Sequence, residues 1–191
     1  MPDTAEMYLP HFVVRQKLTM MINRYEISES DEAGNPTRLM ALAEQKRMAF
    51  KEQVTFFADA SKSRPVFGFK ARRAIDLNAG YDITDESGAQ IGYFKKEFGA
   101  SLLRSTFLVE GPGYAGSGRE RNQLVALLRR FTDVDFIPVN FDFVDTTGAP
   151  LFSVERRMSI RDHYRVTVPD RRVDFRVAAA VAVGLDALMS R

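Results

Sequence analysis

The chain repeats one arrangement of apolar and polar positions: an alternating stretch, a short polar turn and a second alternating stretch. Residues 81–96, YDITDESGAQIGYFKK, align without gaps with residues 141–156, FDFVDTTGAPLFSVER. Each copy has an aspartate and a glycine between its alternating stretches. Aspartate side chains bind turn amides and glycine accepts positive φ, so the pattern predicts a β-hairpin.

Two earlier segments, residues 25–46 and 55–70, follow the same plan more loosely and with longer turns. Four hairpins supply eight strands, and alternation predicts further short strands at 12–22, 105–110 and 164–168. This number of strands exceeds one small flat sheet. We therefore expect a closed barrel or a sandwich.

Two segments have helical patterns instead. Residues 119–132 place the apolar side chains of Leu124–Phe131 on one face, which predicts a surface helix. Residues 173–189 are apolar on nearly every face, and such a helix has to be enclosed by protein. We expect it to lie inside the sheet, so that deleting the residues after Asp170 prevents folding. Asp186 opposes the helix dipole and is expected to reach solvent or to meet an arginine.

The aspartate-glycine hairpins, the strand YRVTV at 164–168 and the apolar helix with its late Asp186 resemble the LURP-one-related family. This family is grouped with the tubby C-terminal domain and the phospholipid scramblases. The resemblance runs from Phe12 to Met189 within a single domain, 1–191. It departs at 111–134, where a glycine-rich loop and a helix are interpreted as an insertion.

The resemblance implies a mainly β fold, with a closed antiparallel barrel of about twelve strands around the C-terminal helix and one extra surface helix. It also implies a non-enzymatic role without a cofactor. Tubby domains bind phosphoinositides and scramblases act on lipids, so the resemblance implies an anionic phospholipid or a membrane surface as the partner.

The composition fits one globular domain, since 45% of the residues are hydrophobic and 15 are phenylalanine. The 27 basic and 25 acidic residues nearly cancel, so net charge gives no reason to expect nucleic acid as a partner. The sequence has no cysteine, which excludes a thiolate nucleophile and a cysteine zinc site. Residues 1–12 lack the apolar run of a secretory signal. The absence of cysteine suits the cytoplasm, so we expect a cytoplasmic protein, peripheral to a membrane if it binds lipid.

Basic residues gather at the same end of every predicted hairpin, opposite its aspartate turn. If all hairpins run the same way round the barrel, these side chains form a basic rim suited to anionic headgroups. The candidate lipid- or anion-binding residues are Lys46, Arg47, Lys70, Arg72, Arg73, Lys95, Lys96, Arg156 and Arg157. The alternative is that charged strand ends only protect exposed edges, and that strand alternation turns one of each neighbouring pair inward.

A nucleotide-binding enzyme is the less favoured of two alternative hypotheses. The glycine-rich segment at Gly111–Gly116 precedes Asp133 and Asp135 by about the spacing of a dinucleotide fingerprint. The hairpin repeats do not fit the alternating strands and helices of such an enzyme, and Pro112 would interrupt the amide cradle. A flexible loop is therefore the favoured interpretation of this segment.

The more favoured alternative is a structural module that binds a protein partner through the predicted helix at Leu124–Phe131 or through an exposed strand. The two histidines, His11 and His163, have no metal-ligand spacing, so no metal site is predicted. The sequence does not determine the oligomeric state.

Overall fold

Twelve antiparallel strands form a closed barrel in chain order in the computed structural model. The structure describes residues 7–18, 22–46, 53–72, 80–97, 106–121, 140–157 and 163–189. The strands are β1 (His11–Leu18), β2 (Ile22–Ser30), β3 (Pro36–Lys46), β4 (Gln53–Phe57), β5 (Pro65–Ala71), β6 (Tyr81–Asp85), β7 (Gln90–Glu97), β8 (Thr106–Gly111), β9 (Tyr114–Glu120), β10 (Asn140–Asp145), β11 (Pro150–Arg157) and β12 (His163–Thr167). The helix α1 (Phe175–Met189) follows β12.

The predicted hairpins are confirmed as β2–β3, β4–β5, β6–β7 and β10–β11. The three isolated strands predicted from alternation are β1, β8 and β12. Pairing of β1 with β12 closes the sheet on itself, which removes both free edges. The expected closed barrel is thus confirmed.

The two best-matched turns are built from identical hydrogen bonds. Asp85 Oδ1 accepts from the amides of Ser87 and Ala89, at 2.9 and 3.0 Å. Asp145 Oδ1 accepts from the amides two and four residues further on, at 2.8 and 3.0 Å. The glycine of each turn has a φ of 85° or 89°, a conformation that strains any other residue. Local sequence therefore specifies these turns.

The glycine-rich segment is a strand rather than the predicted loop. Beyond a turn at Pro112 and Gly113, β9 pairs with β8 on one side and β10 on the other. The sequence of β9 does not alternate between apolar and polar residues, because glycines occupy positions where a side chain would clash with an aromatic ring or the backbone of a neighbouring strand. A Cβ on Gly118 would lie 2.3 Å from the Phe143 ring. The expected loop is therefore wrong for this part of the chain.

The surface helix predicted at 119–132 begins inside β9, so its first two residues are strand. Arg121 forms a bend, and residues 122–132 lie outside the described part of the chain, as does most of the 111–134 segment interpreted as an insertion. That interpretation remains a prediction.

The apolar helix α1 fills the barrel, as predicted. Each residue from Val177 to Val183 has 0% exposure. Glycine allows the closest contacts between helix and wall: a Cβ on Gly92 would lie 2.8 Å from Val177, and a Cβ on Gly184 would lie 2.6 Å from the ring of Phe94. The barrel interior is therefore occupied by packed protein.

Charged groups fix the start of α1 against the turns. Asp174 caps the helix, because its Oδ1 accepts a hydrogen bond from the Arg176 amide at 2.8 Å. The Arg176 guanidinium forms ion pairs with Asp174 at 2.7 Å and with Glu86 at 3.3 Å. Arg172, just before the helix, pairs with Asp145 at 3.3 Å. These contacts join the helix to the turns that follow β6 and β10.

At the other end of α1, Asp186 is buried at 8% exposure, so the expected approach to solvent is wrong. Its carboxylate accepts hydrogen bonds from the hydroxyls of Tyr25, at 2.9 Å, and Tyr164. Gln16 donates in turn to the Tyr25 oxygen at 3.1 Å. Burial and the neighbouring carboxylate raise the pKa of Tyr25 well above its ordinary value, which keeps this hydroxyl a donor.

Candidate anion-binding surface

The chain-order topology gives the barrel two distinct ends. All odd-numbered strands run in one direction and all even-numbered strands in the other. The tight turns at 31–35, 58–64, 86–89, 112–113 and 146–149 therefore share one end with the start of α1, which we name the turn end. The opposite end, where β1, β3, β5, β7, β9 and β11 finish, is named the basic end.

All the candidate residues that the structure describes belong to the basic end. Lys70, Lys95 and Arg157 lie within the last three residues of β5, β7 and β11. Lys96 and Arg156 are their neighbours, and Arg72 directly follows β5. Lys46 ends β3, but its side chain, like Arg47 and Arg73, lies outside the described part. The hairpins thus run the same way round the barrel, as the sequence hypothesis required.

Carboxylates at the turn end are engaged in structural contacts. The Asp145 carboxylate accepts hydrogen bonds from Thr147, Ala149 and Arg172, which lower its pKa to about 2. Hydrogen bonds from Ser87 and Ala89 likewise lower the pKa of Asp85. The acidic turns predicted from sequence are therefore caps that hold the hairpins.

Strand alternation turns one member of each of the two fully described basic pairs, Lys95–Lys96 and Arg156–Arg157, into the barrel. Lys96 lies on the same side of β7 as buried Phe94, and its Nζ donates to the Leu188 carbonyl at 2.9 Å. A cation at the C-terminus of a helix is favourable to the helix dipole. Arg156 is paired in register with Tyr164, which bonds the buried Asp186 carboxylate. Lys96 and Arg156 therefore lie beside the end of α1, and the outward surface is formed by their neighbours Lys95 and Arg157.

Arg72 points outward but is already engaged. Its guanidinium contacts Asp82 through Nη2 at 2.7 Å and through Nε at 3.0 Å. It also lies over the Tyr93 ring, with 4.2 Å between Cζ and the ring centroid. An anion would have to compete with both contacts. Arg72 is therefore a weaker candidate than its exposure suggests.

Among the outward cations that remain are Lys70, Lys95 and Arg157, together with Arg15, which the sequence analysis did not select; Arg119 on β9 is a further exposed cation of this end. Within the described ranges none of the four forms an ion pair, and all but half-buried Lys95 are exposed. We name these four residues the basic surface. Arg15 lies inside β1, away from any turn motif, so only strand register could have revealed it.

Register places Arg15 in a row with two other residues. It pairs with His163 on β12, and His163 pairs with Arg157 on β11. All three alternate with buried residues of their strands and so face outward. The row crosses three adjacent strands at the basic end. We name it the Arg15–His163–Arg157 row.

Other kinds of site find no support in the described residues. No three side chains of histidine, aspartate or glutamate lie close enough there to hold a metal ion. No helix in this part combines the length and hydropathy needed to cross a membrane.

Comparisons with known proteins identify the family of this chain. Among solved structures, a porin-like protein from Bacteroides uniformis is similar over 85% of this chain and 96% of that chain, with 7% identity and a TM-score of 0.25. A score this low carries no argument about fold or function. No curated protein matches the sequence. The family model of LURP-one-related proteins matches residues 40–186. The chain therefore belongs to the LURP-one-related family, within the tubby-like superfamily.

Proposed function

We propose that this protein is a non-catalytic barrel that binds anionic phospholipid headgroups, with its basic end turned toward the membrane. The observation that supports this most directly is the asymmetry between the two ends. Among the described residues, the basic end has more outward cations without ion pairs than the turn end, where Arg64 and Arg171 are exposed and the Asp145 carboxylate is held by turn amides and Arg172. The protein is then peripheral to the anionic cytoplasmic leaflet.

The filled interior supports a role without catalysis. A substrate would have to displace α1, whose residues from Val177 to Val183 are fully buried. The buried charges at its two ends bond each other or the wall, as Asp174 does with Arg176 and Asp186 does with Tyr25. Groups that are engaged in this way hold the helix in place rather than face a ligand.

The four side chains of the basic surface set the expected strength of binding. A lysine or arginine near an anionic membrane contributes roughly 1 kcal/mol. Four such residues give about 4 kcal/mol, which corresponds to a dissociation constant of about 1 mM. Binding should therefore be weak, reversible and sensitive to salt.

Vesicle sedimentation tests this function. The protein is mixed with phosphatidylcholine vesicles that contain either no anionic lipid or phosphatidylserine. We expect recovery only with the anionic vesicles, and loss of recovery as salt shortens the Debye length from about 10 Å to about 3 Å. Equal recovery with both kinds of vesicle would contradict the proposal.

A matched pair of variants tests the location of binding. The test variant removes the basic surface by substitution to glutamine at Arg15, Lys70, Lys95 and Arg157. The control variant makes the same number of substitutions at exposed cations of the turn end, at Arg38, Lys62, Arg64 and Arg171. Both lose the same charge, so only the test variant should stop binding. Equal losses would place the interaction elsewhere.

A further inference from the structure

Strand β3 extends beyond its neighbour β4 at the turn end of the barrel. The last residue of β4, Phe57, lies opposite Leu42, so residues 36–41 of β3 have no partner strand on that side within the described part of the chain. On the other side they pair with β2. We infer that this stretch pairs with the same stretch of a second copy of the chain and forms a two-fold dimer. The inference is separate from lipid binding, because the basic surface lies at the opposite end.

The tip of the β2–β3 hairpin leans away from β4. The Arg165 guanidinium on β12 donates a hydrogen bond to the Glu32 carbonyl, and a Cβ on Gly34 would lie 3.6 Å from the Cδ of Arg165. Since β1 lies between β2 and β12, the tip reaches across the wall on the side opposite β4. The register with β3 shifts twice along β2, and such bulges bend a strand.

The turn of the β4–β5 hairpin bends back toward the basic end. Its Lys62 forms an ion pair with Glu44, which lies on β3 two residues nearer the basic end than Leu42. A register shift after Phe56 marks the bulge at which this hairpin bends. The turn at 58–64 therefore does not continue alongside β3. The two hairpins separate at this point, and the edge of β3 is left open between them.

Solvent exposure agrees with an open edge. Four consecutive residues, Pro36, Thr37, Arg38 and Leu39, are exposed, whereas a strand with one covered face would bury every second one. At 45%, Leu39 is the most exposed large apolar side chain in the described ranges. Alternate residues of this stretch direct their amide and carbonyl groups away from β2, and such unpaired groups are a template for another strand.

The sequence of this edge is self-complementary around Leu39. A two-fold axis at Leu39 places the two leucines opposite each other and Arg38 opposite Met40 of the second copy. Each Arg38 is already neutralised by Glu29, with 3.2 Å between Nε and Oε2. A register centred on Arg38 would instead place like charges directly opposite, which is destabilising. Pairing with a second copy also covers two open edges at once, whereas a strand of another protein covers one.

Sedimentation velocity over a concentration series, without lipid, tests the dimer. The paired stretch is short, so we expect a small and transient interface that dissociates on dilution. Leu39→Glu places like charges opposite each other, and we expect it to weaken self-association about tenfold or more. The control is Ala60→Glu, which makes the same charge change at an exposed residue of the 58–64 turn and should associate like the wild type. A cooperative melt shows that each variant folds.

Oxidative cross-linking tests the register, because the chain has no cysteine of its own. Opposite residues of antiparallel strands have Cα atoms about 4.5 to 5.5 Å apart, which is within the range of a disulfide. Leu39→Cys should therefore cross-link to its copy. Thr37→Cys should not, because two residues off the axis the copies are roughly 14 Å apart.

Each outcome supports or overturns the dimer. A wild-type chain that remains monomeric at every concentration overturns it and leaves the edge to a strand of another protein. Equal weakening by Leu39→Glu and Ala60→Glu, or equal cross-linking of the two cysteine variants, also overturns pairing through this edge. Failure to bind vesicles leaves the dimer standing, since its measurement contains no lipid.

Discussion

Replacing Gly184 by alanine gives a sharp test of how tightly α1 is enclosed. In an exposed helix this change would stabilise by up to about 1 kcal/mol, because alanine has the higher helix propensity. Here the new Cβ would lie 2.6 Å from the Phe94 ring. That ring is stacked on Tyr81 with centroids 4.8 Å apart and contacts Phe69 edge to face, so it has little freedom to move away.

Overpacking of this kind costs about 1 to 3 kcal/mol, which exceeds the gain in propensity. We therefore expect Gly184→Ala to lower the free energy of unfolding by about 1 to 2 kcal/mol, measured by urea denaturation. The penalty should shrink in a Phe94→Leu background, where the contact is relieved. A stabilising effect of Gly184→Ala would show that the helix is not enclosed, and the packing argument would fail.

Three further changes test the rest of the fold. Asp186→Ala should lower the free energy of unfolding by about 1 to 3 kcal/mol, because the buried hydroxyls of Tyr25 and Tyr164 lose their acceptor. An unchanged free energy of unfolding in urea would contradict a stabilising role for these hydrogen bonds. Asp145→Asn should reduce the loss of stability that acidification causes between about pH 4 and pH 2. Asp145 has a pKa of about 2 in the folded protein and of about 4 in the unfolded chain, so its carboxylate stabilises the fold above about pH 4, and protonation at lower pH removes this contribution. An unchanged acid limb in circular dichroism would contradict that assignment. Deleting the residues after Asp170 should abolish cooperative folding, and a normal thermal melt of the truncated chain would refute it.

The parts of the fold that sequence predicts well are those that local chemistry determines. Asp85 and Asp145 bind amides only two and four residues away, so their turns can be recognised without any tertiary contact. The apolar helix is equally recognisable, because no exposed surface would tolerate its composition. In contrast, β9 is hidden because Gly118 is placed by its contact with Phe143, which lies on another strand.

The candidate site shows the same division. The basic strand ends and their shared end of the barrel follow from the hairpin repeat. Arg15 does not, because its neighbours His163 and Arg157 come from the far end of the chain and meet it only through strand register. The partner of Asp186 is similarly remote, since Tyr25 is 161 residues away in sequence. Long-range pairing is the information that single-sequence patterns lack.

The orientation of the barrel on a membrane is the most direct test of the proposed function. The chain has no cysteine, so a single fluorophore can be attached through Lys95→Cys at the basic end or through Ser63→Cys at the turn end. Spin-labelled lipids in anionic vesicles should quench the fluorophore at the basic end and leave the one at the turn end bright. Equal quenching at both positions, or stronger quenching at the turn end, would contradict binding through the basic end.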